Sequence, residues 1–229
     1  MRYYPVNLDI KGKHCLVVGG GAVGTRKVKT LFNCGAIVTV VSPFATDRIE
    51  KMAQKGEIIW HKRNYESSDM NNAFLVIGAT DNENLNVRIS MDAEKQNKLC
   101  NIADRPEVCN FILPAIVQKE DLIIAISTSG QSPAFAKKLR TELDKQFGPE
   151  YAVFLKLMGA VRKKLLAKEH EHEVHKPIFE KLIRSDLIKY IRSKDMDGIN
   201  TELYKVLGNG YQIDNLFPRN QNPLCTLVP

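Results

Sequence analysis

The sequence contains no CxxC pair, no block of like charge and no apolar run approaching the ~18 residues that a membrane-spanning helix needs. Its five cysteines, Cys15, Cys34, Cys100, Cys109 and Cys225, are odd in number and widely spaced. That excludes a disulfide framework and a thiolate zinc site and leaves ordinary reduced thiols. The stretch MRYYPVNLDIKGK has no apolar core flanked by a cleavage site, so a cytoplasmic protein without a membrane partner is expected. RNA-reading aromatic motifs and zinc-finger spacings are absent too. The net charge of +7 and pI near 9.1 therefore do not point to nucleic acid. Lysine and arginine are spread along the chain, and a small molecule bearing several carboxylates would exploit the same positive field.

What is present is an ordinary globular composition, 44% apolar over 229 residues. Short apolar runs alternate with longer mixed segments. Strands are expected at 14–18, 37–41, 58–60, 74–77 and 99–102, with helices at about 23–32, 46–54 and 83–96 between them. This cadence is that of a parallel sheet with crossover helices, a Rossmann-type α/β fold. After residue 104 the pattern changes. Apolar runs at 111–117 and 122–127 flank the polar turn Gln118-Lys119-Glu120-Asp121 and read as a hairpin. Ser132 followed by Pro133 marks a helix start, and helical periodicity continues to Gly148-Pro149. Beyond lie helices only, at about 150–168, 178–193 with a break, and 198–207; the last twenty residues, with Pro218, Pro223 and Pro229, read as an irregular tail. The expected domains are a Rossmann domain at 1–113, a small α+β segment at 114–148, and an all-helical C-terminal domain with its tail at 149–229.

Gly19-Gly20-Gly21-Ala22-Val23-Gly24 fits GxGxxG directly after a strand and before a helix. There the first glycine permits a tight turn, the second lets backbone approach a pyrophosphate, and the third lets helix and strand pack closely. A glycine-rich turn without a ligand is the plainer alternative. The acidic residue that usually grips the ribose at the end of the second strand is missing. Ser42 and Pro43 stand there instead as the candidate cofactor contacts. Arg26 and Lys27 either favour a phosphorylated ribose or are solvated helix positions. Asp104, at the end of the fifth strand, is placed to act as a general base or merely to form a turn before Arg105-Pro106. Asn101, Ser127, Thr128 and Ser132 are candidate substrate contacts, the last three also being explicable as a polar turn and a helix cap. The run from Lys168 to His175 alternates Glu and His, which reads as a solvated helix end rather than a metal site, and Cys109 reads as a core thiol rather than a ligand. No metal ligands are assigned.

GGGAVGTRKVKTLFNCGAIVTVVSP, ATDNENLN, CNIADRPEVCNFILPAIV and AISTSGQSPAFAKKLR, in this order and spacing, resemble the precorrin-2 dehydrogenase/sirohydrochlorin ferrochelatase family, including the N-terminal half of siroheme synthase. The likeness is strong over about 5–146, and over 150–229 it rests on helical character and length. It implies NAD as hydride acceptor, held by the glycine loop and by Ala79-Thr80-Asp81, with Asp104 matching the catalytic aspartate. It also implies a homodimer in which 114–140 is shared. Two residues depart from the family pattern: Gly24 replaces a common alanine, and Ser129 replaces a glycine before Gly130. The expected activity is NAD-dependent oxidation of precorrin-2 to sirohydrochlorin, with ferrous iron insertion as a second activity. The rival readings are a NAD-sensing regulatory Rossmann module and a tetrapyrrole carrier that does not react.

Overall fold

The computed structural model describes residues 2–103, 105–167, 172–218 and 223, without the side chains of 172–174. The chain divides into two units, Met1–Leu113 with Ser129–Gln131, and Pro114–Thr128 with Ser132–Pro229.

The first unit is a five-stranded parallel sheet. Its elements run β1 (His14–Gly20), α1 (Ala22–Asn33), β2 (Ile37–Ala45), α2 (Asp47–Gln54), β3 (Ile59–His61), β4 (Leu75–Gly78), α3 (Glu83–Lys95) and β5 (Leu99–Ile102). The strand order is β3-β2-β1-β4-β5, so the chain reverses its direction of growth between β1 and β4. A ligand crevice opens outside the carboxyl ends of the strands at such a point. The unbroken apolar run of β1 follows from burial on both faces. Cys15 and Val17 pack with Val28 and Leu31 of α1 and Ile49 and Met52 of α2, whereas Leu16 and Val18 pack with Ile89 and Ala93 of α3.

The outer edge of β5 is covered by the chain itself. The Cys100 amide donates to Asn110 Oδ1 at 2.8 Å and Asn110 Nδ2 donates to the Lys98 carbonyl at 2.7 Å. Asn101 Nδ2 donates to the Phe111 carbonyl at 3.0 Å. Residues 109–111 thereby satisfy an edge that would otherwise be open to pairing with another chain. This corrects the expected hairpin, whose first strand does not begin at 111. Phe111 belongs to the edge cover, and β6 starts only after Pro114.

In the second unit β6 (Ala115–Lys119) and β7 (Leu122–Ile126) pair antiparallel with Lys119 opposite Leu122. The turn is therefore two residues long, with Glu120 at φ 52°. Helices α4 (Pro133–Gln146), α5 (Glu150–Leu166), α6 (His172–Arg184), α7 (Leu187–Ser193), α8 (Met196–Leu207) and α9 (Ile213–Leu216) follow. Their core holds Leu157, Val161, Leu182, Leu187, Ile191, Ile199 and Leu203. Buried Glu150, at the first position of α5, accepts both the Nε and a terminal nitrogen of Arg192 at 3.0 and 2.7 Å, tying α5 to α7. The single helix with a break expected over 178–193 is two helices, and the first begins six residues earlier than its periodicity suggested. The tail also needs correction at its start: Tyr211 and Ile213 are 3% and 2% exposed and belong to the helical core. Pro229 and most of the expected tail lie outside the described residues. No described helix is long and apolar enough to cross a membrane.

Candidate functional site

At the carboxyl end of β1 the chain turns sharply through Gly19, whose φ of 113° is open only to glycine. A Cβ there would sit 2.2 Å from the Ala79 carbonyl oxygen, and one on Gly24 would sit 2.1 Å from the Gly19 oxygen. Both glycines are thus demanded by the packing of β1, α1 and β4. Gly21 differs, because its φ of −73° suits any residue and a Cβ would meet nothing within 4 Å. Neither the backbone nor the packing explains a glycine at 21; close approach of a ligand does. Gly21 is also the N-cap of α1, no side chain caps the helix, and its first turn holds no acidic residue. Its leading amides are left for an anion such as a pyrophosphate.

The turn borders a cavity of about 810 Å³ lined by Gly19 to Val23, Val41 to Thr46, Asn64, Tyr65, Ala79 to Asn82, Leu85 and Ala103. Of the expected cofactor residues, Gly19, Gly20, Gly21, Ala22, Val23, Ser42, Pro43, Thr80 and Asp81 line it. Gly24 does not; it lies behind the turn as a packing residue. The volume lies within the usual range for small-molecule sites, and these residues fit a dinucleotide.

Gly24 carries a prediction. The related alanine cannot be accommodated without moving the turn, because the obstacle is backbone rather than a flexible side chain. Gly24→Ala is expected to cost about 1–3 kcal/mol of stability, read as a lowered urea midpoint, and to weaken dinucleotide binding with it.

The ribose wall is built differently from the usual acidic grip. β2 continues past Pro43 to Ala45, which pairs with Gly20 across a register shift in β1. Proline is tolerated because β3 pairs only as far as Val41. Buried Ser42 accepts Trp60 Nε1 on its carbonyl at 3.0 Å, and Phe44, 81% exposed, stands at the cavity wall. On the β4 side, Thr80 Oγ1 donates to Asn86 Oδ1 at 2.9 Å, and Asn86 Nδ2 returns a bond to the Thr80 carbonyl at 2.8 Å. Asn82 caps α3 by accepting the Leu85 amide at 3.0 Å. Tyr65, invisible as a site residue in the sequence, is fixed by a bond to Asp92 at 3.0 Å beneath the Arg88 guanidinium. Burial first, and then the Asp92 carboxylate, push its phenol well above the ordinary range. It serves as a neutral wall.

Asp104 lies outside the described residues. Cys109 Sγ accepts the Ile102 amide at 3.0 Å and donates to the Arg105 carbonyl at 3.1 Å, so one thiol ties Ile102 to Arg105. Asn101 is 8% exposed and its amide nitrogen holds Phe111, so it works as a clamp on this loop. The thiols differ in reactivity. Burial, reinforced by a neighbouring cysteine, pushes Cys15 up to about 11 and Cys100 up to about 12; burial also raises Cys109. Cys34 is exposed. Iodoacetamide near neutral pH is therefore expected to label Cys34 well before Cys15 or Cys100, which should react only on unfolding, as peptide mass spectrometry would show.

In the second unit Ser132 Oγ accepts the Phe135 amide at 3.2 Å and caps α4, while Thr128 Oγ1 accepts the Ser132 amide at 3.2 Å. Ser127 ends the same strand-to-loop passage. Ser129 takes the left-handed conformation at φ 53°, followed by Gly130 at φ 82°, so serine adopts here the backbone that the family's glycine supplies. In the Glu/His run His175 is buried at 5% exposure, which corrects the solvated reading for that residue; Lys168 to Glu171 lie outside the described residues. Among the described residues no group of three or more metal-ligating side chains forms.

A family model for NAD(P)-binding domains matches residues 6–115, and one for the central part of sirohaem biosynthesis proteins matches 120–146. Siroheme synthase of Pseudoalteromonas atlantica is 32% identical over 214 residues, covering 93% of this chain and 46% of that protein. Siroheme synthase of Hydrogenovibrio crunogenus is 38% identical over 165 residues, 71% of this chain and 35% of that one. The chain thus spans less than half the length of these relatives. Among solved structures, SirC, a precorrin-2 dehydrogenase, superposes with a TM-score of 0.73 at 25% identity over 89% of this chain and 98% of its own. Along most of its length the chain resembles the precorrin-2 dehydrogenase/sirohydrochlorin ferrochelatase family.

Proposed function

We propose that this chain oxidises precorrin-2 to sirohydrochlorin in siroheme biosynthesis, with NAD as its cofactor. The observation that carries this reading is the cavity at the β1–β4 switch point, with its ligand-free reason for Gly21 missing, in a chain that matches a precorrin-2 dehydrogenase along most of its length. NAD, when bound, supplies the acceptor for a hydride. The amides at the start of α1 would hold its pyrophosphate, with Ser42, Pro43 and Phe44 on one side of the cavity and Thr80 and Asp81 on the β4 side as its further contacts.

The oxidation breaks a C–H bond, sends two electrons away as hydride and releases a proton. Asp104 receives that proton; among the described residues around it, Cys109 ties Ile102 to Arg105 and Asn101 holds Phe111. Ser127, Thr128 and Ser132 contact substrate carboxylates, favoured by the start of α4 and the net charge of +7. Insertion of ferrous iron into sirohydrochlorin is the second activity: two pyrrole N–H protons must leave, and the same aspartate serves. The chain works in the cytoplasm as a homodimer sharing 114–140, in three functional parts, 1–113, 114–148 and 149–229.

The test is anaerobic turnover of precorrin-2 with NAD, followed by the absorbance of sirohydrochlorin and repeated with ferrous iron. NAD-dependent product formation supports the dehydrogenase, and metal insertion faster than without protein supports the chelatase. Folded protein that binds NAD yet oxidises nothing would move the reading to a NAD sensor, or to a carrier if it also binds sirohydrochlorin.

A further inference from the structure

The helical unit holds a second cavity, of about 580 Å³, between α5 and α6. On α5 its lining residues recur every three or four positions, Leu155, Met158, Gly159, Arg162 and Leu166, and on α6 Lys176, Phe179 and Ile183 face it from the other side. Such spacing lays one continuous face of each helix along a groove. Phe154 forms a buried floor at 7% exposure, while Leu155 and Ile183 remain 37% and 59% exposed on the walls.

Two features make this more than an unfilled seam. Gly159 sits inside the 17-residue helix α5, where glycine weakens the helix, and a Cβ there would meet nothing within 4 Å. Close packing gives no reason for it; keeping the groove open does. The second feature is charge. Among the described residues, the polar side chains that line the groove are Arg162, His175 and Lys176, all bases, and none is acidic. Glu169, Glu171 and Glu173 lie outside the described side chains.

We propose that the groove binds a small amphipathic organic anion, one carboxylate or sulfonate on an apolar body of acyl-chain or fused-ring size. The apolar body lies over Phe154, Met158 and Phe179, and the charge meets Arg162 and Lys176 at the surface. A second copy of the chain is disfavoured, because it brings a net charge of +7 to a cationic rim. A tetrapyrrole with many carboxylates is disfavoured by the floor, which offers most of those groups no partner. The volume lies in the usual range for small-ligand sites. This site is independent of the dehydrogenase reading and stands or falls without it.

The probe is anilinonaphthalene sulfonate, titrated by fluorescence into the full chain, with neutral N-phenylnaphthylamine as control. Saturable binding is expected, displaced by dodecanoate and indifferent to NAD. Gly159→Leu, which fills the groove with a good helix former, should weaken it roughly tenfold or more. Arg162→Gln with Lys176→Gln should weaken the sulfonate about tenfold and leave the neutral probe nearly unchanged. Circular dichroism and NAD affinity would show that each variant is folded. The proposal fails if NAD displaces the probe, if Gly159→Leu binds it as before, or if removing both charges affects the two probes alike. It also fails if Gly159→Leu changes the sedimentation of the chain while probe binding persists, since the groove would then seat another copy.

Discussion

Gly21→Asp is expected to lower NAD affinity by about a hundredfold or more while leaving the protein as stable as before, or slightly more stable. The two effects have opposite signs because the position serves two masters. As the N-cap of α1, Gly21 already holds the extended backbone that a capping aspartate uses, and open space awaits its side chain. Aspartate there would accept a leading amide and place negative charge at the positive end of the helix, worth a few tenths to ~1 kcal/mol. The same carboxylate would occupy the ground of the pyrophosphate with like charge, a conflict of several kcal/mol. Isothermal titration with NAD and a thermal melt separate the two terms. A variant that still binds NAD normally would mean that the anion is held elsewhere. A variant that fails to fold would mean that Gly21 is a packing residue like Gly19 and Gly24. Gly21→Ala should fall between, stable and with a smaller loss of affinity.

The legibility of this chain follows the range of its interactions. β1 could be read because burial on both faces leaves an apolar run, and the glycine turn because three glycines at fixed spacing solve a local steric problem. The role of each glycine was not separable in the sequence: a Cβ on Gly19 would strike the Ala79 carbonyl and one on Gly24 the Gly19 carbonyl, whereas one on Gly21 would meet nothing within 4 Å. Tyr65 escaped notice because its place in the cavity depends on Asp92, distant in sequence, and no local pattern announces it. Pro43 looked like the end of a strand, yet β2 passes through it where β3 has stopped pairing. Phe111 looked like the start of a hairpin because its neighbours are apolar; its carbonyl is in fact held by Asn101. A break somewhere within 178–193 and the capping of α4 by Ser132 were local and were legible; the place of the break, after Arg184, was not. The burial of Tyr211 and Ile213 was not, since prolines farther along gave the whole end of the chain an irregular reading. The fold was therefore readable where propensity and burial agree, and the site only where a motif states its geometry locally.

Asp104→Asn is expected to reduce precorrin-2 oxidation by roughly 10²–10⁴-fold, the usual contribution of a positioned general base, while NAD affinity stays unchanged. Asparagine keeps the size of aspartate and loses only the ability to take the proton. The flanking bonds are supplied by other residues: Cys109 holds the Ile102 amide and the Arg105 carbonyl, and Asn101 and Asn110 hold the return strand. The substitution should therefore leave these bonds intact. Tetrapyrrole binding by the variant, measured by absorbance, is expected to persist. That combination distinguishes an enzyme from a carrier, since a carrier has no turnover to lose. It also separates proton transfer from positioning. Cys109→Ala removes the clamp but not the base, so it should give a smaller loss of turnover than Asp104→Asn. Full activity in Asp104→Asn would remove the aspartate from the reaction and leave proton release to solvent or to the substrate's own carboxylates.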